Sequence, residues 1–275
     1  MNSALNGKVI LITGASGGIG SAIARKFAEE GAKLILHCRS NLAGAKALQR
    51  ELGDADSLIV RADLTKEAEV KRLFATAKKH FGRVDTLVAN AGSWETRDVP
   101  LHEMSLKQWR HTQDAVLTSA FLCAREFLKL VAKQKRGNLV FIASTAGVFG
   151  EAWHADYAAA KAAMAYGLTR TLKNEIARLA PVSADYSGGR VNCVCPGWTV
   201  VPRTASKLKD ADIERRVTAT RALPQIGRPD DIATAVVYRS SDVLARHVTG
   251  ETMIVAGGME GRLLWQPHEI DPKLV

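Results

Sequence analysis

An apolar run, Val9 to Thr13, leads without interruption into TGASGGIG and then into a helical pattern from Gly18 to Glu30. This junction constrains the fold more than any other stretch of the chain. Glycine at position 14 allows a tight exit from a strand, and the small residues after it let a diphosphate approach the backbone N–H groups that open a helix. Gly20 lets that helix pack close to the sheet. A glycine cluster alone is a weak signal, but one that follows the first strand and opens the first helix points to a dinucleotide site. Gly14, Ser16, Gly18, Ile19 and Gly20 are the candidate contacts within it.

The remainder repeats this alternation. Apolar runs at Leu34–Cys38, Ser57–Ala62, Thr86–Ala89, Leu139–Ser144, Arg190–Cys195 and Thr252–Val255 read as strands. Helical patterns cover Ala43–Leu52, Lys66–Phe81, Leu106–Gln134, Ala155–Leu179 and Asp230–Ser240. Most strands are continuously apolar, as strands covered by helices on both faces are. The expected fold is α/β: a single-domain Rossmann-type doubly wound parallel sheet of about seven strands flanked by helices, spanning 1–275 with a tail from about 259. The 275 residues, 47% of them hydrophobic, are enough for such a core.

Several function classes drop out. No apolar stretch reaches the roughly 18 residues of a membrane span, and the first residues lack the basic start and longer apolar region of a signal peptide. Cys38, Cys123, Cys193 and Cys195 form no CxxC pair, so buried thiols in a cytoplasmic protein are expected and no metal site is. The net charge of +10 comes from scattered residues without a basic arm or recognition motif, which speaks against nucleic acid and leaves room for an anionic cofactor.

The second strand bears on which dinucleotide is bound. NAD sites usually place an acid there for the ribose 2′-hydroxyl. From Gly31 through Arg50 this chain has no Asp or Glu, and the strand ends in Arg39-Ser40. A guanidinium with a hydroxyl suits a 2′-phosphate, so NADP(H) is the expected cofactor.

The catalytic pattern lies in DYAAAKAA. Tyr157 and Lys161 stand one helical turn apart on one face. A free phenol has a pKa of about 10; a nearby ammonium is expected to lower it and to make the tyrosine a usable acid/base near neutral pH. Ser144, at the carboxyl end of a strand, stands where doubly wound sheets bind ligands.

With these residues the chain resembles the short-chain dehydrogenase/reductase family, particularly its 3-oxoacyl-carrier-protein reductase-like members. The resemblance runs over about residues 5 to 258, through TGASGGIG, RADLT, VANAG, Ser144, YAAAK, VNCVCPGW, GRPDDIA and VTGETMIVAGG. It implies that Asp63 and Leu64 contact the adenine end and that Asn90, Ala91 and Gly92 pack along the adenosine and ribose. Ser144 would bond the substrate oxygen, Tyr157 would act as acid/base, and Lys161 would bind the nicotinamide ribose and tune Tyr157. Pro196, Gly197 and Thr199 would border the nicotinamide. The family's association habits imply a homotetramer or homodimer, with the tail reaching a neighbour.

Two positions depart from the family pattern. Seven residues after Trp109, where the family carries a catalytic Asn, stands Val116; four after Gly197, where Thr is usual, stands Val201. The first change either leaves a relay running through the backbone carbonyl or cripples catalysis. The expected substrate pocket comprises Trp94, Val116, Phe149, Trp153, His154 and Trp198, with Glu151 or Arg97 adding polar selection and residues 206–222 forming a charged helical lid. Aromatic walls favour bulky ligands. The expected activity is NADP(H)-dependent reduction of a bulky ketone or aldehyde. The alternatives are an NAD(P)-dependent sterol, sugar or polyol dehydrogenase, and a weakly active or non-catalytic NADP-binding module.

Overall fold

Successive residues of each central strand feed two different cores. In β1 (Val9–Ile12) Leu11 faces one side of the sheet and Ile10 and Ile12 the other; in β5 (Asn138–Ile142) Leu139 and Phe141 part from Val140 and Ile142 in the same way. All nine residues of these two strands are buried. This double burial is why the runs are continuously apolar, and each buried Leu, Ile or Phe contributes about 1.5–3 kcal/mol. A computed structural model describes residues 2–53, 55–263, 265 and 267–270.

The remaining strands are β2 (Lys33–Cys38), β3 (Ser57–Arg61), β4 (Thr86–Ala89), β6 (Arg190–Pro196) and β7 (Thr252–Val255). All pairings are parallel, in the order β3-β2-β1-β4-β5-β6-β7. The order reverses between β1 and β4, and the crevice there is held by side chains. The Thr13 hydroxyl accepts from the N–H groups of Asn90 and Ala91, both at 2.9 Å, while the Asn90 amide donates to the Thr13 carbonyl at 2.9 Å.

Helices α1 (Gly18–Glu29), α2 (Leu42–Glu51) and α3 (Glu67–Phe81) alternate with the first strands as the periodicity predicts. The run expected as one helix over 106–134 is α4 (Leu106–Gln113) and α5 (Ser119–Gln134) joined by a π-helical turn, Asp114–Thr118. After a short α6 (Ala146–Phe149), the run expected over 155–179 is likewise α7 (Ala155–Ala162) and α8 (Thr169–Leu179) joined by a π-helical turn, Ala163–Leu168. A single wider turn leaves the apolar pattern nearly unbroken, so it is invisible in the sequence. The expected lid contains α9 (Ala211–Thr218), and α10 (Pro229–Ser240) packs on α1. Strand β5 ends at Ile142, two residues before Ser144, which therefore lies in the strand-to-helix connection and not on the strand.

Candidate active site

A cleft of about 600 Å³ opens at the carboxyl ends of the strands, above the β1/β4 switch point. Its floor at one end is the glycine-rich loop. Gly14 has φ 67°, a left-handed conformation that favours glycine. A Cβ at Gly20 would stand 2.2 Å from the Gly14 carbonyl oxygen, so only glycine lets α1 approach this closely. Helix α1 has neither a side-chain cap nor an acid in its first turn. Its positive end is thus left for an anion, which fits a diphosphate.

His37 steadies this loop. It is buried in β2, its Nδ1 accepts the Gly14 N–H at 3.0 Å, and its Nε2 lies 2.9 Å from the Ala62 carbonyl oxygen, to which it donates. Burial pushes its pKa down, consistent with a neutral ring in this tautomer. Arg39 and Ser40, exposed beyond β2, line the same end of the cleft. Asp63 and Leu64 follow β3; burial alone would raise the Asp63 pKa, but bonds from the Thr65 hydroxyl and amide and the charges of Lys66 and Arg39 hold it below the usual range.

The other end centres on α7. Tyr157 is almost fully buried, with Lys161 Nζ 5.7 Å from its ring centroid and donating to the Ile142 carbonyl at 2.7 Å. Burial raises the Tyr157 pKa well above its ordinary value, against a smaller lowering by a hydrogen bond with Ser144. The expectation that Lys161 makes this phenol more acidic is therefore corrected: four-residue spacing sets proximity, but desolvation dominates and holds the phenol protonated.

Burial brings the Lys161 pKa down to about 8. Below that pH the lysine is charged in both folded and unfolded chains, and its burial opposes folding in full. Between about 8 and 10.5 the folded side chain loses its proton while the unfolded one keeps it, so stability rises with pH across this window. In denaturant unfolding, wild type should gain on the order of 2 kcal/mol relative to Lys161→Met between about pH 7 and about pH 9.5.

Ser144, Pro196, Gly197, Thr199, Asn90, Ala91 and Gly92 all line the cleft, as do Ser16, Gly18 and Ile19. Of the expected substrate residues, Trp94, His154 and Trp198 line it as well, and Glu151 joins them. Three do not. Val116 is fully buried in the core beneath the cleft. Phe149, at the end of α6, is half-buried outside the lining. Trp153 adopts φ 66° and is 44% exposed on the surface. Arg97 is also exposed and outside the lining, whereas Lys207, at the start of the lid segment, reaches the cleft and donates to the Thr96 carbonyl at 3.0 Å.

The two valines take apolar roles. Val116 belongs to the π-helical turn, and its carbonyl accepts from Ser119 Oγ at 3.2 Å. A Cβ on Gly18 would meet Val201 Cγ1 at 2.6 Å, so Val201 seats the loop after β6 directly on the glycine-rich loop. Gln113, one turn before Val116, donates to the Asp156 carbonyl at 2.9 Å and ties α4 to α7.

Sequence reasoning missed Arg203 and Arg262 as lining residues. Arg262 belongs to the tail, which returns to the cleft: its Nε donates to the Gly150 carbonyl at 2.7 Å, and its Nη2 lies 3.4 Å from a Glu151 carboxylate oxygen. No local pattern marks a residue brought in over so long a separation. The end of the tail, residues 271–275, lies outside the described residues.

The four cysteines are buried and unpaired. No group of metal-ligating residues occurs, and no helix is long and apolar enough to cross a membrane, among the described residues.

Comparison with known proteins places this geometry. The chain is 35% identical over 259 residues to a 3-oxoacyl-[acyl-carrier-protein] reductase of Synechocystis sp., covering 94% of this chain and 98% of that one. It is 36% identical over 260 residues to a cis-4-hydroxycyclohexanecarboxylate dehydrogenase of Sinomonas cyclohexanicum, with 94% and 98% covered. The crystal structure of gox2181 matches with a TM-score of 0.85 at 27% identity, over 92% of this chain and 96% of that one. The family model described as short chain dehydrogenase matches residues 8–212. A match over most of the chain, beside relatives that align along nearly all of it, makes this protein a member of the short chain dehydrogenase family of oxidoreductases.

Proposed function

We propose that the protein is an NADP(H)-dependent carbonyl reductase acting on bulky, ring-containing ketones or aldehydes. The observation that carries the reading is the placement of the buried Tyr157 phenol in the cleft lining, hydrogen-bonded with Ser144 and with Lys161 Nζ 5.7 Å from its ring centroid. A protonated phenol is the form that reduction needs, because a carbonyl oxygen becoming an alkoxide takes its proton from it.

The cleft fits a nicotinamide dinucleotide. The glycine-rich loop and the uncapped start of α1 would hold the diphosphate, Asp63 and Leu64 the adenine end, and Asn90, Ala91 and Gly92 the ribose. Lys161 would hold the nicotinamide ribose, and Pro196, Gly197 and Thr199 would border the ring. When bound, the cofactor supplies the hydride. The chain's own residues do the rest. Ser144 orients the carbonyl oxygen, Tyr157 gives it a proton, and Lys161 balances the phenolate left behind by charge.

Arg39 and Ser40, with no acid on β2, support NADP(H) over NAD(H). Charge-assisted bonds of this kind contribute about 1.5–3 kcal/mol, so Arg39→Ala should raise KM for NADPH roughly 10- to 100-fold and leave KM for NADH nearly unchanged. Equal effects on the two cofactors would remove the preference.

Trp94 and Trp198 on the cleft wall support a bulky substrate. The names of the relatives agree, one acting on 3-oxoacyl groups and another on a substituted cyclohexane. The test is oxidation of NADPH, with NADH as control, across bulky ketones, acyl thioesters, quinones and small carbonyls. Better turnover of the small compounds would defeat the substrate reading.

A further inference from the structure

Five cationic side chains line the cleft: Arg39, Lys161, Arg203, Lys207 and Arg262. Lys161 is committed to the Ile142 carbonyl, Lys207 to the Thr96 carbonyl with Asp98 3.9 Å away, and Arg262 to the Gly150 carbonyl and Glu151. Arg39 and Arg203 have no ion-pair partner among the described residues. Arg39 stands at the adenosine end and is accounted for by the cofactor. Arg203 stands at the substrate end and is not.

Its position is defined by a stack. The Arg203 guanidinium carbon lies 4.7 Å from the Trp94 ring centroid, and that ring lies 4.7 Å from the Tyr157 ring at an interplanar angle of 32°. A guanidinium laid on an aromatic face keeps its N–H groups in its own plane, pointing outward as a fork. A planar two-oxygen anion matches that fork. Arg203 and Tyr157 thus both lie against the Trp94 ring in the wall of one cleft, where one ligand can meet both. The field of Arg203 is felt at Tyr157, where it favours the phenolate.

We propose that Arg203 binds a carboxylate carried by the substrate, so that the substrate class is a bulky keto acid and not a neutral ketone. This inference rests on the reading of Tyr157 as the proton donor to a carbonyl. A single fork with no second unpaired cation at this end suits a carboxylate better than a phosphate dianion.

The test compares 4-oxo-4-phenylbutanoate with its methyl ester, using wild type, Arg203→Gln and Arg203→Lys. Wild type should favour the acid by about 10- to 100-fold in kcat/KM, with the difference in KM and little of it in kcat. Arg203→Gln should bring the acid-to-ester ratio near one, and Arg203→Lys, which keeps charge but not the fork, should restore part of it. A second arm measures calorimetric binding of 4-phenylbutanoate and 4-phenylbutanamide, neither of which has a carbonyl to reduce in this way, with and without NADPH. Equal binding of acid and amide, an acid preference that survives Arg203→Gln, or an Arg203-dependent preference for a phosphate-bearing thioester over the keto acid overturns the proposal. Arg203-dependent binding of the acid without turnover of the keto acid upholds the carboxylate site and counts instead against carbonyl reduction.

Discussion

Tyr157→Phe is expected to lower kcat for carbonyl reduction by about 10²- to 10⁴-fold, the usual worth of a well-placed general acid. Little else should change. The ring that stacks on Trp94 at 4.7 Å is retained, and the Ser144 hydroxyl still accepts the Ala146 N–H at 3.1 Å. The cofactor loop lies at the other end of the cleft, so affinity for NADPH, read by fluorescence titration, should be largely preserved. Because burial raises the phenol pKa, wild-type reduction should stay level through neutral pH and fall only in the alkaline range. Oxidation of the product alcohol should rise with pH over the same range as the phenolate fraction grows. Undiminished reduction by Tyr157→Phe would move the proton donor to another residue.

The parts of this site that could be read from the sequence are those where local spacing decides the outcome. The glycines after β1 must be small because α1 and the Gly14 carbonyl meet within one turn. Tyr157 and Lys161 share a helix face because they are four residues apart. Proximity in sequence misled where the backbone turns sharply. Phe149 and Trp153 precede the catalytic helix, but the connection turns sharply at Gly150, φ 77°, and Trp153, φ 66°, and only Glu151 and His154 of it line the cleft. Burial was equally hidden: no spacing rule says that Tyr157 is almost fully enclosed, and so its pKa moved opposite to the direction its cationic neighbour suggests. Arg203 and Arg262 reach the cleft from beyond β6 and from the tail, through tertiary packing that leaves no periodic trace. Val116 and Val201 looked like losses at a polar site. In the fold one completes the core and the other fills the contact above Gly18.

The placement of Lys161 depends on a residue that makes no chemical contribution of its own. Gly147 in α6 lies against α7, and a Cβ there would stand 2.5 Å from the Ala162 nitrogen and 2.6 Å from the Lys161 carbonyl carbon. Both are backbone atoms, so relief requires α7 to move as a unit. The Lys161 ammonium is meanwhile fixed to the Ile142 carbonyl of β5, and a displaced helix stretches that bond and shifts the Tyr157 hydroxyl with it. Overpacking of this kind costs about 1–3 kcal/mol. A catalytic group moved by about 1 Å can lose about 10²-fold in rate. Gly147→Ala is therefore expected to lower Tm by several degrees and kcat by about 10- to 100-fold. Gly167→Ala is the control, since Gly167 lies in the same helical run, is exposed and has no atom within 4 Å of where its Cβ would stand. That substitution should leave kcat unchanged and raise stability slightly, because alanine favours a helix over glycine by up to about 1 kcal/mol. If the two variants behave alike in calorimetry and in turnover, the seating of α6 on α7 does not position the proton-transfer pair.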